Sequence, residues 1–148
     1  MSSGTTLAVA LCVAAGIAGP VQVAVMGELG GRIGEVEAIA FSVVVSALLA
    51  LVALLVVRQS IDGIAAGARA PAWLWLGGVM SLLIVLAITV AGPRIGTTPT
   101  VAIVIAGNLT MAAVVDRFGL FGVDQVPIGW ERIAGIVLLA AGAALTLR

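Results

Sequence analysis

Residues 38–57 read AIAFSVVVSALLALVALLVV, twenty residues without a charge between Glu37 and Arg58. An α-helix rises about 1.5 Å per residue and the hydrocarbon core of a bilayer is about 30 Å thick, so about 20 apolar residues cross it. The stretch has that length. The pattern repeats on both sides of it: residues 2–27, 70–93, 95–115 and 133–147 are also uncharged, and all 14 charged residues lie between or at the ends of these five stretches. The last has only 15 residues. Trp130 and Arg132 before it and Arg148 after it can anchor or snorkel at the interface. The chain is expected to be an all-α membrane protein with five transmembrane helices, over 6–27, 38–57, 73–92, 99–116 and 133–147, forming a single domain across residues 1–148. An odd number of spans puts the two ends on opposite sides of the membrane.

Composition excludes the soluble alternative. Hydrophobic residues make up 62% of the 148 and charged residues 9%, against about 25% charged in ordinary globular domains. In lipid such a surface needs no cover, because helices satisfy their own backbone groups. The net charge is zero and no basic run exists, so nucleic acid is not an expected partner. There is no histidine, and Cys12 is the one cysteine. No disulfide within the chain and no metal centre are expected, and Cys12 reads as a small packing residue. The first stretch lacks a basic leading region and is too long for a simple signal core, so it is read as a retained span.

Along the chain, Gly16, Gly19 and Pro20 interrupt the first predicted helix, and a kink is expected near Pro20. Gly27, Gly30, Gly31 and Gly34, with Glu28, Arg32, Glu35 and Glu37, read as a short polar connector. The spacings Gly27/Gly31 and Gly30/Gly34 would also permit close helix contact. Residues 58–71 read as a loop. The third helix opens at Trp73 and Trp75 and ends at Gly92-Pro93. The fourth begins near Pro99, a suitable first-turn residue, and ends at Asp116-Arg117. Residues 117–132 read as a loop or short interfacial helix.

With the N-terminus on side A, Trp73, Trp75, Phe118, Phe121 and Trp130 all lie near side A, whereas aromatic belts usually occur at both interfaces. Side A loops carry Arg58, Arg69, Arg117 and Arg132, and side B carries Arg32, Arg94 and Arg148, a tally of four against three. The terminal amine adds a weak bias toward the N-terminus inside. Orientation by the positive-inside rule needs a clear excess. The near balance points to dual topology and an antiparallel dimer, which would supply both belts.

Polar side chains at depth are costly unless they find partners, so each is a candidate site. Asn108 lies near the middle of the fourth helix beside Gly107. Gln22 lies two residues beyond Pro20, whose missing N–H frees a carbonyl. Ser81 and Ser46 sit near the middle of the third and second helices. The four could each point one small polar group into a common cavity. The competing role for Asn108 and Gln22 is helix glue, worth about 0.6–2 kcal/mol. For Ser46 and Ser81 it is a hydrogen bond to the preceding turn. No ionisable residue lies near a helix midpoint. Glu28 and Asp116, the nearest acids, sit about 10–15 Å from the centre by the helical rise. They are candidates for gating or coupling, with Asp116 beside Arg117. A proton-coupled cation exporter would bury a carboxylate at depth, so an uncoupled carrier of a neutral or weakly polar solute is favoured. Without His or Lys no nucleophile–base pair can be assembled, and residues 27–34 lack the Lys and Ser/Thr of a phosphate loop. No catalytic residue, no enzymatic activity and no cofactor are expected.

The whole chain resembles the YdcZ-type family of small bacterial membrane proteins in the drug/metabolite transporter superfamily. The resemblance runs through Ala14-Ala15-Gly16-Ile17 followed by Gln22, Trp73 with Gly77-Gly78, and Arg94-Ile95-Gly96. It continues through Ala106-Gly107-Asn108-Leu109, Asp116-Arg117-Phe118-Gly119-Leu120, and Gly135 with Gly142. The family pattern usually has Gln at the place of Asn108 and often Asn at the place of Met26, departures that bear on pocket size and polarity. The resemblance implies a five-helix unit in the bacterial inner membrane, used as an antiparallel homodimer or paired with an inverted homologue. It also implies a midplane cavity between the copies. Gly135 and Gly142 lie on a fifth helix rich in small residues, which reads as a dimer-packing helix rather than a cavity wall. The leading expectation is a small-solute transporter working by alternating access, with membrane lipid and an unidentified small molecule as its partners. The alternatives are a non-transporting scaffold subunit and a lipid-headgroup flippase. A scaffold would need Asn108 and Gln22 bonded to each other.

Overall fold

A computed structural model describes residues 3–147. Met1, Ser2 and Arg148, the last expected to anchor the final span, lie outside them. The helices are α1 (Ser3–Ile33), α2 (Glu35–Arg58), α3 (Asp62–Ala68), α4 (Leu76–Ile95), α5 (Thr97–Phe118) and α6 (Trp130–Leu145), with 3-10 turns at Ala72–Trp75 and Leu120–Gly122. Among the described residues there is no strand. Four segments are long and apolar enough to cross a membrane: Ser3–Ile33, Glu35–Arg58, Ala72–Ile95 and Thr97–Phe118. Large apolar side chains such as Leu11, Ile17, Leu48, Leu49 and Leu83 are exposed, which suits lipid and not water. At 16 residues, α6 rises about 24 Å and falls short of the core thickness.

The ends of the helices depart from expectation. α1 continues through Gly27, Gly30 and Gly31 to Ile33, and Pro20 lies inside it. The expected connector is helical because its charges are satisfied on the helix surface: Glu28 accepts from Arg32 four residues on at 2.8 Å. The break comes at Gly34 alone, at φ 103 and ψ 146, a conformation that is essentially glycine-only. The Gly34 N–H donates to the Gly30 carbonyl at 3.0 Å, and its own carbonyl accepts from the Ala38 N–H at 3.0 Å. One residue thus turns the chain with both of its own backbone groups bonded. Gly96 does the same between α4 and α5, at φ 89 and ψ 159. The third span therefore runs past Gly92-Pro93 to Ile95, with Pro93 inside it. The expected loop at 58–71 contains α3, entered through Ser60. Its hydroxyl accepts from the Asp62 N–H at 3.0 Å and donates to the Asp62 carboxylate at 2.6 Å. Phe41 lies near the start of α2, at the end that the expected topology assigns to side B, so even by that expectation the aromatic residues are not all near side A.

The chain forms two compact units, one of residues 25–90 and one that joins the residues before 25 to those after 90. In the first, Met26, Ala38 and Ile39 form a buried cluster with Leu29 and Val85 packed on it. Thr89 is fully buried there, its hydroxyl donating to the Val85 carbonyl at 2.7 Å. Gly30 lies against it, and a Cβ at Gly30 would sit 3.2 Å from the Thr89 methyl. In the second unit α6 packs along α5. Gly92 meets Val23 so closely that an added Cβ would lie 2.9 Å from Val23 Cγ1 and 3.3 Å from its carbonyl oxygen. Beyond α5 the connector folds back over the helix end. Gly119 takes the left-handed conformation, and the Val126 N–H donates to the Asp116 carbonyl at 2.9 Å. The Gln125 side chain donates to the Phe118 carbonyl at 3.4 Å. These bonds serve carbonyls that a helix C-terminus leaves open.

Candidate substrate-binding site

Each sequence-chosen polar residue falls on a different span: Gln22 on α1, Ser46 on α2, Ser81 on α4 and Asn108 on α5. All four are exposed on the chain. Ser81 is accounted for locally, since its hydroxyl donates to the Gly77 carbonyl at 3.0 Å. Thr100 and Thr110 do the same, to Gly96 at 2.7 Å and Ala106 at 2.8 Å. Gln22, Ser46 and Asn108 differ: none of the three makes a side-chain hydrogen bond among the described residues. Ser42, half-buried and one turn before Ser46 on the same face of α2, joins them. The sequence reading passed over it. Its signal was there, as the second hydroxyl of an i, i+4 pair in an otherwise apolar run.

A cavity of 310 Å³ opens in the second unit, lined by Pro20 of α1, by Thr97, Thr98, Val101, Ala102 and Ile105 of α5, and by Leu139 of α6. Its wall is almost wholly apolar, and no candidate polar side chain lines it. Pro20 has no N–H, so the Gly16 carbonyl one turn back loses its partner in the helix. Leu139 of α6 is part of this wall, while the expected dimer-packing glycines of the same helix are not. Gly135 is half-buried and Gly142 exposed, and a Cβ at either would meet nothing within 4 Å.

The two candidate acids are held in ion pairs. Glu28 is paired with Arg32 on an exposed stretch of α1. Asp116 pairs with Arg132 at 2.8 Å, not with its neighbour Arg117. The long connector brings Arg132 back to the end of α5, where its guanidinium reaches the carboxylate, while Arg117 is exposed. The bridge ties the start of α6 to the end of α5.

Long uncharged spans, charges kept toward their ends, and amides without local partners on the spans define a polytopic α-helical membrane protein with unspent hydrogen-bonding capacity at depth. Residues 7–145 match the sequence profile of the family described as "Putative inner membrane exporter, YdcZ". The chain belongs to this family and is a multi-pass inner-membrane protein. No curated protein and no solved structure matches it.

Proposed function

We propose that the chain carries a small neutral solute across the inner membrane by alternating access, working as one half of an antiparallel pair. The family's description as an exporter supports transport. The observation that carries the solute reading is that Gln22 and Asn108 are exposed on membrane-spanning helices with no side-chain hydrogen bond among the described residues. An unpaired amide costs about 1–3 kcal/mol on mutational scales when it is removed from water, so these groups call for water, a ligand or a second copy. A packing scaffold would bond them to each other, and no such bond is made. Glu28 and Asp116, in ion pairs near helix ends, are placed to act as gates that open and close at the membrane surface.

In this reading α6 is the fifth span, its short length met by local thinning of the bilayer. The open space at Gly135 and Gly142 admits a helix of the second copy. An opposite orientation of that copy places its tryptophans at the other interface. The second copy is the same chain or an inverted homologue.

The test is a thermal-stability screen of the purified protein against neutral metabolites, run beside Asn108→Leu. A solute that raises the wild-type melting temperature and leaves the variant unmoved supports the carrier and names its solute class. Silence across the set, with the variant less stable than wild type, makes Asn108 a structural bond and rejects the carrier. Reporters fused to the C-terminus test the antiparallel pair, which requires readout on both sides of the membrane.

A further inference from the structure

The 310 Å³ cavity of the second unit changes in character along α5. Thr97 and Thr98 open that helix and line the cavity at one end, and Val101, Ala102 and Ile105 continue its wall over the following turns. From Thr97 to Ile105 the helix rises about 12 Å. α5 is long and apolar enough to cross a membrane. The threonine end therefore lies at the level where the hydrocarbon begins, and Ile105 lies toward the middle. Pro20 of α1 and Leu139 of α6 add further apolar wall. The approach of α1 is set one turn beyond Pro20, where Val23 meets Gly92.

The two hydroxyls at the polar end are unspent. Thr100, a little further along the same helix, gives its proton to the Gly96 carbonyl at 2.7 Å. Thr97 and Thr98 make no side-chain hydrogen bond among the described residues. Beyond them the lining offers no polar side chain, so water has nothing to hold it there. An empty space would forfeit the dispersion contacts of its lining, and the medium around a membrane span is lipid chain. A helix of a second copy does not fit. It is about 10 Å across, so a length of about 12 Å fills roughly 900 Å³, well beyond the 310 Å³ available.

We infer that this cavity is a binding site for an acyl chain of a membrane lipid, with Thr97 and Thr98 donating to the ester carbonyl at the head of that chain. Ester carbonyls are the acceptors that a diacyl lipid presents where its chains begin, and threonine hydroxyls are donors that match them. The lining carries no charge, so the site recognises the chain and its linkage and not the headgroup. Neither Gln22 nor Asn108 lines the cavity. The lipid site therefore stands apart from the carrier reading and does not depend on it.

The test titrates the full chain, stripped of lipid in detergent, with dioleoyl phosphatidylethanolamine and with its ether-linked analogue. Native mass spectrometry counts the lipid bound. Wild type should hold the ester lipid more tightly than the ether lipid by about threefold or more, the worth of one net hydrogen bond. Ala102→Phe fills the cavity and should weaken binding about tenfold. Ala102→Leu, a smaller filling that asks less of the packing, should fall between that variant and wild type. Ala47→Phe, on an exposed position of α2 outside the cavity, should bind as wild type does. Thr97→Val combined with Thr98→Val should erase the preference for the ester. Wild-type affinity in both Ala102 variants, or equal losses in Ala102→Phe and Ala47→Phe, places the lipid elsewhere and overturns the site. Failure of wild type to retain lipid overturns it as well. Equal binding of ester and ether lipids by wild type overturns the role given to the two threonines.

Discussion

Gly96→Ala isolates the energetic content of the turns. The backbone at Gly96, φ 89 and ψ 159, lies in a region essentially restricted to glycine, where another residue costs about 1–3 kcal/mol. Space is not the obstacle, since a Cβ would meet only Pro99 Cδ at 3.6 Å, an ordinary contact. Relaxing the backbone is no escape. It would disturb the Gly96 N–H bond to Gly92 at 3.0 Å and the Thr100 N–H bond to Gly96 at 3.3 Å, each worth about 0.5–1.5 kcal/mol net. The expected loss is therefore about 1–3 kcal/mol, or roughly 5- to 150-fold in the folding equilibrium at tenfold per 1.4 kcal/mol. Gly34→Ala should cost the same, because its backbone is the same; the Glu37 carboxylate that its Cβ would meet is the mobile end of a side chain and swings away. Gly31→Ala is the control: ordinary helix, nothing within 4 Å of the new Cβ, and a gain of up to about 1 kcal/mol in helix propensity. Equilibrium unfolding in mixed micelles, followed by tryptophan fluorescence, measures all three. A Gly96→Ala variant within about 0.5 kcal/mol of wild type would refute the reasoning, because the cost assigned to that backbone region begins near 1 kcal/mol.

Gly92→Ala should destabilise by about 1–3 kcal/mol through overpacking, because Val23 Cγ1 at 2.9 Å and the Val23 carbonyl at 3.3 Å cannot swing aside; a raised melting temperature would show that the helices have slack. Asp116→Asn should cost under about 1 kcal/mol, since the side chains of the Arg132–Asp116 pair are 39% and 31% exposed. A large drop in melting temperature would mean that the bridge is better shielded than its exposure indicates. Gly142→Leu should weaken dimers and leave the chain's own fold intact, because no atom lies within 4 Å of the new Cβ. Unchanged cross-linking yield counts against α6 as a dimer helix.

Four of the five expected spans were legible because lipid imposes a demand that sequence records directly: enough apolar residues in a row, with charges kept to the ends. The ends were not legible, for a related reason. Glycines and charges near residue 30 look like a loop, yet Glu28 and Arg32 are one turn apart and satisfy each other on a helix. Only Gly34 must leave the helix, and composition alone does not single it out from Gly27, Gly30 and Gly31. The partner of Asp116 was hidden because it is 16 residues away, brought close by a connector whose left-handed residues, Gly119 and Phe121, carry no simple pattern. Asn108 and Gln22 were visible as the only carboxamides deep in apolar stretches.

The contrast between hydroxyls and carboxamides on these helices bears on why the chain keeps the latter. A hydroxyl at depth is easily silenced, because it can give its one proton to the carbonyl a turn earlier, as Ser81, Thr89, Thr100 and Thr110 do. A carboxamide has two protons and an acceptor oxygen, and a single bond to its own helix leaves most of that capacity unmet. Gln22 and Asn108 therefore cannot be quieted within α1 and α5. Their demand must be met from outside the helix that bears them, by water, by solute or by another chain. Met by a fixed neighbour, it would lock the helices together. Met by an exchangeable molecule, it makes the cost of the empty state the same quantity as the attraction for the next solute. That coupling is what a carrier needs: a site stable enough to fold, and incomplete until something small and uncharged arrives.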